Sequence, residues 1–109
     1  QEDLIKRIKE KYNEPWMTEN AISTYGDMWI IKEALEMAHK ADREAVAEAL
    51  RTMNIDGGPA KYFPGGQIQF DENGRRVGAG LTIVQWRNGV PSTVAPPHLA
   101  LAEAFWPKK

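Results

Sequence analysis

Across Asn54-Ile55-Asp56-Gly57-Gly58-Pro59 the hydrophobic period of this chain changes from about 3.6 residues to 2, and that break constrains the fold more than any other feature. Before it, apolar residues recur at helical spacing; after it, they alternate. A chain of 109 residues with a helical half followed by a strand-forming half is mixed α/β.

Leu4, Ile5, Ile8 and Tyr12 lie at helical spacing among lysines and glutamates, which predicts a short amphipathic helix from about Asp3 to Tyr12. Asn13-Glu14-Pro15 stops it, because a residue before proline avoids the α region. A second helix is expected to start between Thr18 and Asn20, both competent N-caps, and to run to about His39. Its stretch from Met28 to Ala38 is apolar on nearly every side, interrupted by Lys32, Glu33 and Glu36, so it calls for cover on more than one face. Asp42 caps a third helix whose stripe is Val46, Ala49, Leu50 and Met53.

Beyond the break, Gln67-Ile68-Gln69-Phe70 alternates as a short strand, and Asp71-Glu72-Asn73-Gly74 reads as a turn. Leu81 to Trp86 is the strongest strand signal. Asn88-Gly89 predicts a tight hairpin with a return strand over about Pro91 to Val94. Pro96-Pro97 ends that strand, and residues 99–105 are expected to add one or two turns of helix. The expected fold is α/β: three helices, then a segment of about three strands that contains a β-hairpin. It divides into a mainly helical part at residues 1–65 and a hairpin with its tail at residues 66–109.

This inventory is lopsided. Leu81 to Trp86 has apolar side chains on both faces, which suits a strand covered on both sides. So few strands cannot supply those layers. The mismatch leads to the expectation that the isolated chain self-associates, pairing an incomplete sheet and an apolar helix with a second copy or another partner.

Composition enters by exclusion. Fourteen basic residues against fifteen acidic ones leave a net charge of -1, with no electrostatic footprint for nucleic acid. The absence of cysteine removes disulfides, zinc–thiolate sites and thiol nucleophiles together. No apolar run reaches the roughly 18 residues of a membrane span. The opening residues from Gln1 are charged and lack the apolar core of a signal peptide.

Of the two histidines, His39 suits the negative end of a helix, and His98 reads as surface. Asp71-Glu72 reads as a turn whose aspartate bonds its own backbone, and it fails the spacing of a calcium loop. Gly57-Gly58 and Gly65-Gly66 lack the strand, the helix and the Lys-Ser/Thr of a phosphate loop. Trp16, Trp29, Trp86 and Trp106 read as packing residues. With no nucleophile–base–orienter set, the chain does not read as an enzyme, and nothing calls for a metal or another cofactor.

One order of residues stands out: Phe70-Asp71-Glu72-Asn73-Gly74-Arg75-Arg76, Thr82-Ile83-Val84-Gln85-Trp86, Asn88-Gly89-Val90-Pro91, then Pro96-Pro97. It resembles the C-terminal end of the substrate-binding proteins of branched-chain amino acid type ABC transporters, the leucine/isoleucine/valine-binding family. Ala104-Phe105-Trp106-Pro107-Lys108-Lys109 is similar to that family's tail, and Ser23-Thr24-Tyr25-Gly26 opening a long helix keeps its order.

The resemblance implies a fragment of a type I periplasmic binding fold, in which two α/β lobes close on a small polar ligand. Family members are several times longer, so a C-terminal piece is expected, holding only part of the site. A periplasmic location is implied, with the signal peptide outside this piece, together with an ABC permease as partner and an amino acid or related small carboxylate as ligand. The ligand-binding positions it implies are Asn20, Ala21, Ile22 and Tyr25, in the segment that leads into the long helix. Read from the residues alone, Asn20 serves equally as a helix cap and Tyr25 as a buried aromatic.

Overall fold

Three α-helices form where the helical period runs: α1 Glu2–Tyr12, α2 Glu19–Ala38 and α3 Arg43–Thr52. The structure, a computed structural model, describes residues 2–107. Asn13 ends α1 by turning left-handed, at φ 53°, a conformation asparagine adopts more readily than most residues. Of the two candidate caps for α2, Thr18 is the one used: its hydroxyl accepts from the Ala21 amide at 3.2 Å. Asn20 therefore lies inside the first turn. At the far end His39 is the C-cap, left-handed at φ 54°, its amide donating to the Glu36 carbonyl. Asp42 caps α3 as its position predicts, accepting from Ala45 N at 3.0 Å.

The break between the periods contains more structure than its composition signals. Asn54–Ile55 forms a two-residue strand, β1, antiparallel to β2 at Ile68–Gln69, with Ile55 opposite Ile68. Two residues are too few to show alternation, so no pattern betrays β1. Pro59 then opens a 3₁₀ turn over Gly58–Tyr62. After β2 the chain folds back: Phe70 bridges Arg76, and Val77 N donates to Gln69 O at 2.7 Å. Asp71 holds that turn, one carboxylate oxygen accepting from both Asn73 N and Arg75 N at 2.9 Å.

The described chain divides into two compact units at Ala79/Gly80. The core of the first comprises Ile30 and Ala34 of α2, Ala49 and Met53 of α3, Ala60 of the 3₁₀ turn and Ile68 of β2. On α2 the buried residues are Gly26, Ile30 and Ala34, a single stripe at four-residue spacing. Met28, Trp29, Ile31, Leu35 and Met37 stay between 38% and 60% exposed. The second face of this helix, which its composition predicts to be covered, is only partly covered among the described residues.

Gly26 is what lets α2 approach the 3₁₀ turn. A Cβ there would lie 2.7 Å from Phe63 Cε2 and 3.1 Å from Tyr62 Cβ, so the Phe63 ring has to move for any side chain. Alanine regains about 1 kcal/mol of helix propensity against an overpacking cost of about 1–3 kcal/mol. Gly26→Leu has no such compensation in proportion. It is expected to lower the urea midpoint clearly, followed by helical circular dichroism, and Gly26→Ala much less.

In the second unit, β3 Ile83–Arg87 and β4 Val90–Ala95 form an antiparallel hairpin, with Arg87 opposite Val90. Asn88 at φ 49° and Gly89 at φ 78° supply the two left-handed residues of the tight turn their dipeptide predicts. Strand pairing begins at Ile83, and Leu81 is 92% exposed.

Gln85 and Arg87 point to one face by alternation. The tail lies on that face. Gln85 Oε1 accepts from Phe105 N at 2.8 Å, its Nε2 donates to Phe105 O at 3.0 Å, and the Arg87 guanidinium stands 4.1 Å from the Phe105 ring centroid. Val84 and Trp86 share the other face with Thr93 and Pro91 and remain 52% and 63% exposed. Among the described residues, the cover that this strand's pattern predicts on both faces is fuller on one and partial on the other.

The helix predicted over residues 99–105 does not form. A short 3₁₀ turn, Pro97–Leu99, is followed by irregular chain, because Leu101 N and Ala102 N both donate to Thr93 O rather than to helical carbonyls.

Candidate functional site

An open groove of about 520 Å³ lies where α1 faces the start of α2, bounded by Ile8 of α1 and by Met17 just before the cap. From α2 it receives Asn20, Ala21, Thr24, Tyr25 and Met28. Asn20, Thr24 and Met28 form one ridge at four-residue spacing, and Met17, Ala21 and Tyr25 the next, so one helical stripe builds this wall. Its size falls in the range of small-ligand sites, roughly 300–1,000 Å³. Apolar and aromatic side chains dominate, with the Asn20 carboxamide and the Thr24 and Tyr25 hydroxyls as polar groups.

Of the four positions the sequence singles out, Asn20, Ala21 and Tyr25 meet in the groove. Ile22 does not line it; four-residue spacing places it on the stripe of Gly26, Ile30 and Ala34 instead. Ile8, Met17, Thr24 and Met28 are additions from the structure. Thr24 and Met28 were legible as continuations of the Asn20 ridge, whereas Ile8 comes from another helix and left no signal.

Tyr25 is the best-held side chain of the wall. Its ring meets Tyr62 edge to face at 5.3 Å and Trp29 at 6.3 Å. Lys32 and Lys61 lie 5.6 and 5.1 Å from the Trp29 and Tyr62 rings, one cation at each end of the ladder. Lys32 also bonds Glu36 at 2.6 Å, and that hydrogen bond holds its ammonium pKa above the ordinary value. Both side chains are about half exposed on the helix surface, so the pair contributes little to stability.

The remaining candidates carry less. His39 caps α2, His98 is exposed in the Pro97–Leu99 turn, and Asp71 spends its carboxylate on its own turn. A shallow groove of the second unit is lined by Val94, Pro97, Leu101 and Glu103 among others. Arg87 Nε and Nη2 are buried without an acceptor among the described residues. No group of three or more His, Cys, Asp or Glu among the described residues is placed to hold a metal ion. No helix among them is long and apolar enough to cross a membrane.

A helical wall with a ligand-sized groove beside a mixed α/β core fits a solute-binding module, and comparison with known proteins agrees. Residues 1–91 match the family described as periplasmic binding protein, and the chain belongs to that family. It is 30% identical over 107 residues to the Leu/Ile/Val-binding protein homolog 7 of Brucella suis biovar 1 (strain 1330), and equally to that of Brucella melitensis biotype 1. The homolog 7 of Brucella abortus (strain 2308) has the same identity of 30%. These matches cover 98% of this chain and 26% of each relative, so the chain spans about a quarter of their length. No solved structure matches it significantly. The family is the one that the residue order resembles, and the relatives carry the name of Leu/Ile/Val-binding proteins.

Proposed function

We propose that this chain is part of the solute-binding receptor of an ABC importer, working in the periplasm, and that it supplies one wall of the ligand cleft. The observation that carries the reading is the convergence of Asn20, Ala21 and Tyr25 on one groove in a member of the periplasmic binding protein family. The ligand is an amino acid or a related small carboxylate. Asn20 offers it both a donor and an acceptor, Ala21 leaves room against the helix, and the Tyr25 ring covers an apolar side chain. Affinity comes from closing a second wall over the ligand, a shift between open and closed states, and the closed form is what a permease recognises.

Leucine in large excess over the isotope-labelled chain is the test. Amide shifts are expected to concentrate between Met17 and Met28, with Asn20→Ala weakening them several-fold. Saturable shifts elsewhere, with none in that segment, would remove the groove from the site.

The exposed Val84 and Trp86 face favours a second reading, in which the isolated chain pairs with a copy of itself through the hairpin.

A further inference from the structure

We infer that the groove on α2 selects an aromatic ring over a saturated side chain of the same size, so that its ligand class is a small aromatic carboxylate. The inference rests on the reading of this groove as the ligand site. Met17 and Met28 line it together with Tyr25, eight residues before and three after that ring. Thioether sulfur makes favourable contacts with aromatic edges, and a saturated guest does not return them.

Tyr25 adds an aromatic partner that is already fixed in place. Held by Tyr62 at 5.3 Å and Trp29 at 6.3 Å, its ring loses little freedom when a guest packs on it. Beside it, Ala21 is the smallest lining side chain, which leaves space over the helix for a flat group. Asn20 and Thr24 supply neutral donors for a carboxylate.

Phenylacetate and cyclohexylacetate separate this idea from simple hydrophobicity. They share the carboxylate and the carbon skeleton, and the saturated ring is the more hydrophobic, so area burial alone favours cyclohexylacetate. Titrations of the chain followed at the Ala21 amide, the Tyr25 ring and the Met28 methyl are expected to show phenylacetate tighter by about tenfold. The double variant M17L/M28L keeps volume and helix propensity while removing sulfur. In it the ratio is expected to fall to about threefold or less. Tyr25→Leu is the less secure variant, because the ring also packs on Tyr62.

Cyclohexylacetate binding as tightly as phenylacetate in the parent chain overturns the selectivity while leaving the groove as an aliphatic site. A preference undiminished in M17L/M28L overturns the assignment of the selectivity to the two thioethers. Shifts from neither probe in the groove overturn the inference together with the site it rests on.

Discussion

Calorimetric titration of the 109-residue chain with leucine, isoleucine or valine is expected to give a dissociation constant no tighter than about 1 mM. A small-molecule site normally buries 70–90% of its ligand. Here the groove is open, its wall comes from one helical stripe with Met17 and Ile8, and its polar side-chain groups are the Asn20 carboxamide and the Thr24 and Tyr25 hydroxyls, none of them charged. A zwitterion held by one wall keeps most of its charge in water and gains little over bulk solvent.

A longer receptor that carries a facing lobe is expected to bind the same ligand at least ~100-fold tighter. Two further hydrogen bonds to ligand charges, at about 1.5–3 kcal/mol each, are enough for that. A micromolar constant for the 109-residue chain would show that one wall suffices, and the shared-cleft reading would fail.

Sedimentation of the chain across a wide concentration range is expected to show reversible self-association, and Val84→Lys is expected to return it to monomer at the same concentrations. A two-stranded hairpin is marginal in water unless a layer packs on it. The tail covers the Gln85 and Arg87 face through Phe105, and the other face leaves Val84 52% and Trp86 63% exposed. A two-fold pair covers that face in both copies at once and closes on itself, which avoids open-ended growth. Lysine at position 84 would have to be desolvated in such a pair, at a cost the apolar contact does not offset. Since Val84 is half exposed in the hairpin, the substitution leaves the single chain's own packing nearly untouched, so loss of association can be read separately from unfolding. A strictly monomeric parent chain at high concentration would mean that this face needs no partner.

The parts of the fold that rest on local rules were legible residue by residue. Asp42 caps α3 and Met53 anchors its stripe, because a cap and an amphipathic period each involve neighbours within a turn or two. Asn88-Gly89 placed the hairpin, since both residues tolerate the positive φ it demands. Asp71 announced its turn in the same way. The groove was half legible. The resemblance implies Asn20, Ala21, Ile22 and Tyr25 as one segment; the structure puts Asn20, Ala21 and Tyr25 on the groove and Ile22 off it, because consecutive residues on a helix point about 100° apart.

What failed depended on partners distant in the chain. β1 is a strand because Ile55 meets Ile68, and nothing in a two-residue segment declares that. Residues 99–105 have helix-forming composition, yet Thr93 O takes the amides of Leu101 and Ala102 first. The apolar content of α2 and of β3 led to the expectation of cover on two faces, and among the described residues each is covered mainly on one. Only the folded chain decided which face is covered: Gly26, Ile30 and Ala34 on α2, and the Gln85 side of β3. By itself the amino-acid order determined where helices start and stop, where the hairpin turns and which family the chain resembles, because those depend on backbone conformation and side-chain chemistry within a few residues. The tertiary structure decided which apolar stripe became core, which became groove and which stayed exposed, because hydrophobic burial is non-directional and takes whatever surface the rest of the chain brings near.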